Sequence, residues 1–127
     1  MREDNKIKLS GLNKTWIFDI DGTIVKHNGY KTDGKDTLLE GVKEFFQTIP
    51  EEDMIILITS RREEYKEITE KFLKENKIRY DYIIYNAPYG ERILVNDKKE
   101  SGLRTALAIN TKRNHFIAPD IEIDPDL

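Results

Sequence analysis

The sequence predicts a mainly parallel, doubly wound α/β sheet, and two observations carry that expectation. Short apolar runs rich in β-branched residues alternate with segments whose apolar residues recur at helical spacing, the pattern of right-handed strand–helix–strand crossovers. Acidic and hydroxyl residues follow directly on those runs, where the carboxyl ends of parallel strands converge on a ligand.

The apolar runs at residues 15–20, 54–59, 80–85, 92–96 and 104–109 read as buried strands. Between the first two lies TLLEGVKEFFQTI, in which Leu38, Leu39, Val42, Phe45, Phe46 and Ile49 form one stripe. Thr37 and Glu40 form a capping box at its start, and Pro50 ends it. Between the second and third runs lies SRREEYKEITEKFLKENK, with Tyr65, Ile68, Phe72 and Leu73 on one face and a second capping box, Ser60 with Glu63. The remainder of that segment is a solvated face with charges at i, i+4 spacing. IVKHNGYK interrupts the alternation: Asn28-Gly29 between apolar and aromatic residues predicts a tight hairpin, a small β flap beside the first strand's end.

At 127 residues the chain fits one domain, residues 1–127, with a core over about 14–112 and a tail at 113–127. The acidic tail ends in DIEIDPDL and is expected to fray or to dock on a neighbouring subunit. Cysteine is absent, which excludes thiolate chemistry and cysteine metal sites and leans toward a reducing compartment. Residues 1–14 are polar and charged, unlike a secretory leader, and no apolar run approaches the ~20 residues of a membrane span. A cytoplasmic protein without a membrane partner is expected. The net charge of −3 comes with acids and bases interspersed, which disfavours nucleic acid as a partner.

WIFDIDGTIV, residues 16–25, drives an apolar strand into two aspartates, Asp19 and Asp21. Carboxylates so close repel and resist burial, so a cation belongs beside them. The run ILVND adds Asp97 after Asn96, and hard oxygen ligands of this kind suit Mg²⁺. His27 and His115 are too few for a nitrogen-rich zinc or iron site. Thr59 precedes Ser60, the expected helix cap, so its hydroxyl lies beside free backbone N–H groups that suit a phosphate. Ser60, Arg61 and Gly22 border that place, and Gly22 lets the backbone turn sharply off the strand. An anion site next to a metal and a carboxylate is what phosphoryl transfer needs. Asp19 would attack phosphorus to give an aspartyl phosphate, and Asp21 would act as general acid and then base. A calcium loop is a poorer reading, because Thr23 and Tyr30 occupy positions where ligands are expected.

DIDGT after an apolar strand, ILITSR some way on and ILVND further still resemble motifs I, II and IV of the haloacid dehalogenase (HAD) superfamily, over about residues 15–110. The resemblance implies a Rossmann-like three-layer sandwich with the first strand central, Mg²⁺ dependence, and phosphatase chemistry. It makes Asp19 nucleophile and metal ligand, Asp21 the acid/base whose main-chain carbonyl also binds metal, Thr59 a holder of phosphoryl oxygens, and Asp97 the completing metal ligand. The second aspartate favours a phosphatase over a dehalogenase. The insertion points for a cap domain are too short here to hold one, so the resemblance is to small capless members, among them phosphatases of sugar-acid and surface-polysaccharide metabolism. Such members often close their sites by homo-oligomerising or take bulky substrates, which leaves Lys26, His27 and Tyr30 of the flap as the expected substrate contacts. The chain departs from the family at motif III, where NAPYGER places Ala87 instead of lysine; Arg61, Arg92, Lys98 and Lys99 are the alternative sources of that charge.

The expected function is therefore Mg²⁺-dependent hydrolysis of a small phosphate monoester. The alternatives are a non-catalytic HAD-like metal- or phosphate-binding protein and a receiver-type signalling module. Receiver domains pair adjacent acids after the first strand, whereas this chain has D-x-D.

Overall fold

A computed structural model describes residues 6–127; residues 1–5 of the polar leading stretch lie outside the described part. The elements in chain order are β1 (Ile7–Leu9), β2 (Thr15–Asp19), α1 (Gly29–Thr32), α2 (Val42–Thr48), β3 (Met54–Ile58), a 3-10 turn (Glu63–Tyr65), α3 (Lys66–Glu75), β4 (Tyr82–Ile84) and β5 (Ile121–Ile123). The fold is α/β with parallel sheets, consistent with a Rossmann-like arrangement, and no cap separates the elements among the described residues.

The chain divides into two compact units where a single domain was expected. One comprises residues 13–88 with 111–118, the other residues up to 12, 89–110 and 119–127. The larger unit holds the sheet β2-β3-β4, all parallel, in register Asp19↔Ile58 and Ile58↔Ile84. Among the described residues its order makes β3 central and β2 an edge strand, whereas the resemblance implied a central first strand. Ile55 and Leu57 of β3 are wholly buried, and Trp16 and Phe18 lie opposite them in register on β2. Phe45 and Phe46 of α2 meet that face: the Phe18 and Phe46 rings are 4.7 Å apart, and Phe45 stands edge-on to Trp16 at 5.5 Å. Such aromatic pairs contribute ~0.5–1.5 kcal/mol each beyond their burial. Leu73 of α3 and Ile78 after it join the same buried cluster.

Both expected capping boxes lose to longer-range backbone pairing. Residues 37–39 are held extended, because Lys26 N–H donates to Thr37 O, Leu39 N–H to Ile24 O, and Val25 bridges Leu38. The helix therefore starts after Gly41, in a left-handed conformation (φ 89°), and not at Thr37. Likewise Thr59 N–H bonds to Ile84 O and Asn86 N–H to Arg61 O, latching residues 59–61 to the end of β4. Helical structure is delayed to Glu63, with Arg62 and not Ser60 at the N-cap position; the Ser60 hydroxyl donates to Pro88 O at 3.4 Å.

The expected hairpin flap is a one-turn helix instead. A two-residue hairpin turn at Asn-Gly needs positive φ at both residues. Asn28 has it (φ 56°), but Gly29 is not among the positive-φ glycines. The chain winds on as α1, with Thr32 N–H bonded to Asn28 O and Lys26 paired to Asp33 at 2.8 Å.

In the smaller unit β1 and β5 pair in parallel, Ile7↔Ile121 to Leu9↔Ile123. The acidic tail thus supplies a strand, where fraying or docking was expected. Residues 92–96 and 104–109, expected as strands, have no regular secondary structure. The bonds there are mostly side-chain ones: the Asn96 amide donates to the Thr105 hydroxyl at 2.9 Å and to Thr105 O at 3.3 Å, the Thr105 hydroxyl donates to Asp97 O, and between the two runs a turn closes with Gly102 N–H on Lys99 O. β-branched composition alone does not make a strand without an edge to pair with.

Candidate functional site

The parallel register places the carboxyl ends of β2 and β3 side by side, with Asp19 opposite Ile58 and Thr59 one residue beyond. Asp19 is the last residue of β2 and accepts a hydrogen bond from the Thr23 hydroxyl at 3.1 Å. Past it the chain coils tightly: the N–H groups of Thr23, Ile24 and Val25 all point to Ile20 O, and Gly22 N–H donates to Val25 O at 2.7 Å. Gly22 needs its φ of +85° for this coil, which L side chains adopt at a cost. A Cβ there would also stand 3.3 Å from Cγ of Arg113.

Thr59 is buried, and its hydroxyl accepts the Arg61 N–H at 3.0 Å. That turn directs the Arg61 side chain inward, where its exposure falls to 1%. Nε donates to Asp21 Oδ2 at 3.0 Å and Nη2 to Asp21 Oδ1 at 2.9 Å, a fork-on-carboxylate pair. Nη1 and Nη2 donate to the two oxygens of Asp36 at 3.0 and 2.6 Å, and Nη1 also to the Thr69 hydroxyl at 2.7 Å. A guanidinium has five N–H donors; all are thus committed within the protein. The Tyr30 ring covers the guanidinium at 4.0 Å and meets Tyr65 edge-on at 4.8 Å. Burial works against the charge on Arg61, but the hydrogen bonds and charges of Asp21 and Asp36 outweigh it and hold its pKa above the ordinary guanidinium value. Burial, with the Asp21 charge, likewise raises the Tyr30 phenol against the opposing Lys31 and Arg61 charges.

These contacts revise the expected roles of two residues. Arg61 has no donor left for a phosphoryl oxygen in this arrangement. Tyr30 packs its ring on the Arg61 guanidinium, a structural contact in place of the expected substrate contact. Asp36 and Thr69 went unnoticed in the sequence; neither belongs to a spacing pattern, and only the fold brings them to Arg61. A second missed element is the turn at residues 111–118. Asn114 N–H donates to Gly22 O at 2.8 Å and its side-chain oxygen accepts His27 N–H at 2.7 Å, clasping the coil after Asp21. His27 is thereby fixed beside Gly22, and Lys26 is turned to Asp33.

Asp97, Lys98, Lys99 and Arg92 belong to the smaller unit, whereas Asp19 and Asp21 belong to the larger. Among the described residues no group of three or more His, Cys, Asp or Glu side chains is gathered to hold a metal ion. Within the larger unit the hard oxygens suited to Mg²⁺ are the Asp19 carboxylate and neighbouring main-chain carbonyls, since both Asp21 carboxylate oxygens face Arg61. No helix among the described residues is long and apolar enough to cross a membrane.

No protein-family model matches the chain, and no curated protein does. Among solved structures, it is similar to a chain in each of two structures of the Pnkp1/Rnl/Hen1 RNA repair complex. Each match has 29% sequence identity, a TM-score of 0.51 and covers 68% of this chain. The chain spans only 30% and 31% of the length of those two matched chains.

Proposed function

We propose that this chain is a Mg²⁺-dependent phosphatase of HAD type that hydrolyses a small phosphate monoester through an aspartyl phosphate on Asp19. The observation that carries the reading is the carboxyl edge of the parallel sheet: Asp19 ends β2 beside Thr59, and a glycine-bearing coil returns Asp21 to the same edge. A carboxylate at the open end of parallel strands is where an α/β fold binds its ligand.

Within the larger unit the Asp19 carboxylate and the Asp21 main-chain carbonyl would hold the ion, which would neutralise phosphoryl oxygens when bound. Asp19 attacks phosphorus as the bond to the leaving oxygen breaks, and Asp21, protonated and with one oxygen released from the Arg61 fork, delivers its proton to that oxygen. Water then attacks the phosphoenzyme, Asp21 takes its proton, and Asp19 is released with inorganic phosphate. Thr59 lines the phosphoryl side through the turn it closes with Arg61. We place the protein in the cytoplasm, with a second copy of the chain closing the open edge.

The likeness to chains of an RNA repair complex favours one second reading, in which the ester is a phosphate at an RNA end; the net charge of −3 weighs against it. The test is phosphate release from p-nitrophenyl phosphate, sugar phosphates and an end-phosphorylated oligoribonucleotide, with Mg²⁺ and with chelator, for the wild type and Asp19→Asn. Mg²⁺-dependent release abolished in Asp19→Asn is expected. Release that survives the substitution refutes the reading, and a stable phosphoprotein without turnover favours the signalling alternative.

A further inference from the structure

We infer that Asp36 is a positioning residue for the reaction: acting through Arg61, it fixes the place of the Asp21 carboxylate. The inference rests on the phosphatase reading and extends it to a residue outside the motifs. Arg61 stands between two acids, bidentate to each, with side-chain exposures of 1% for Arg61, 4% for Asp36 and 16% for Asp21. The contact to Asp36 is the shorter, 2.6 Å against 2.9 Å. Asp36 is therefore the buried anchor, and Asp21 is the partner nearer solvent.

The geometry of the fork explains why this matters. A planar guanidinium bound on two sides has its orientation set by whichever partner is fixed. Thr69 on α3 and the Tyr30 ring complete the clamp, so the plane of Arg61 is held from four directions. Asp21 then receives a directional constraint through Nε and Nη2. With Asp36 neutral, one bidentate pair is lost, Arg61 gains freedom, and its remaining full charge pairs only with Asp21. Either outcome moves the carboxylate that must reach the leaving oxygen.

A misplaced proton donor has a distinctive signature. Phosphoryl transfer to Asp19 from an aryl ester needs little protonation of the leaving group, whereas transfer from an alkyl ester depends on it. The experiment measures kcat/KM for a series of phosphate esters of rising leaving-alcohol pKa, in the wild type and Asp36→Asn, with folding checked by circular dichroism. We expect Asp36→Asn to lose about tenfold or more on alkyl phosphates while p-nitrophenyl phosphate changes by less than about threefold, which steepens the leaving-group dependence. Equal losses across the series, or none, overturn the inference. Should Asp36→Asn unfold at the assay temperature, Thr69→Val withdraws a single acceptor from Nη1 and is expected to steepen the dependence to a smaller degree; an unchanged slope there overturns it. Asp19→Asn run alongside separates the two levels: activity that persists in that variant sinks the phosphatase reading itself, whereas a flat slope with Asp19 essential sinks only the role of Asp36.

Discussion

Replacing Asp53 by alanine removes the node that ties the amino-terminal end of the sheet together. Asp53 is 4% exposed and accepts hydrogen bonds from Asn13 Nδ2 at 3.2 Å, Lys14 N–H at 3.0 Å and Trp16 Nε1 at 3.0 Å. Hydrogen bonds to a charged acceptor contribute about 1.5–3 kcal/mol each, but three that share one carboxylate do not add. The expected loss is about 2–4 kcal/mol, set largely by the half-buried indole N–H left without an acceptor. Asp53→Asn keeps the volume and one acceptor and is expected to lose about half as much. Urea denaturation followed by the fluorescence of Trp16, the chain's single tryptophan, measures both. Burial pushes the Asp53 carboxyl up, yet the Trp16, Lys14 and Asn13 hydrogen bonds together outweigh it and hold its pKa below the ordinary value. A depressed folded-state pKa gives stability that is present above the unfolded value, about 4, and is lost as pH falls through the folded one. The gap between wild type and Asp53→Ala must therefore shrink in acid. A loss under about 0.5 kcal/mol at neutral pH, or a gap that widens below about pH 4, refutes this reasoning.

Two further substitutions probe the larger unit. Gly22→Ala is expected to lower stability by about 1–2 kcal/mol in the same urea assay, because the residue must hold φ +85° and its new Cβ meets the Arg113 stem at 3.3 Å. Tyr85 is raised well above the ordinary phenol value, by burial first and then by its 3.0 Å hydrogen bond to Glu70 and that residue's charge. A raised folded-state pKa contributes stability that is complete below the unfolded value, about 10, and fades above it. Tyr85→Phe should therefore be the less alkali-sensitive protein, read as thermal stability relative to wild type from neutral pH to above about pH 10.

Strand positions were legible where burial agrees with composition: β2, β3 and β4 fall inside the apolar runs at residues 15–20, 54–59 and 80–85. The helices were legible in their bodies and not in their starts. At residues 37–39 and 59–61 the Leu39 and Thr59 N–H groups and the Thr37 and Arg61 carbonyls pair with distant chain segments, and a local capping signal carries no information about such bonds. ILV at residues 93–95 shows the opposite failure: strong β propensity, and yet these side chains are 60–88% exposed without a strand. Within the site, Asp19, Asp21 and Thr59 were readable because they close apolar runs. Arg61 was readable as a site residue but not as an inward-facing one, since its orientation is decided by Asp36, Thr69 and Tyr30, whose convergence depends on the fold. The clasp of Asn114 on Gly22 and His27 spans a sequence separation of 87 residues for its side-chain bond, and no spacing pattern announces it.

The phosphoryl acceptor is open to direct observation. Protein mixed with p-nitrophenyl phosphate and Mg²⁺, quenched in acid during turnover and digested, should yield a peptide carrying a hydroxylamine-labile phosphate on Asp19, lost when Mg²⁺ is chelated beforehand. Turnover without any phosphorylated Asp19 peptide, or with the label on another side chain, would contradict the account.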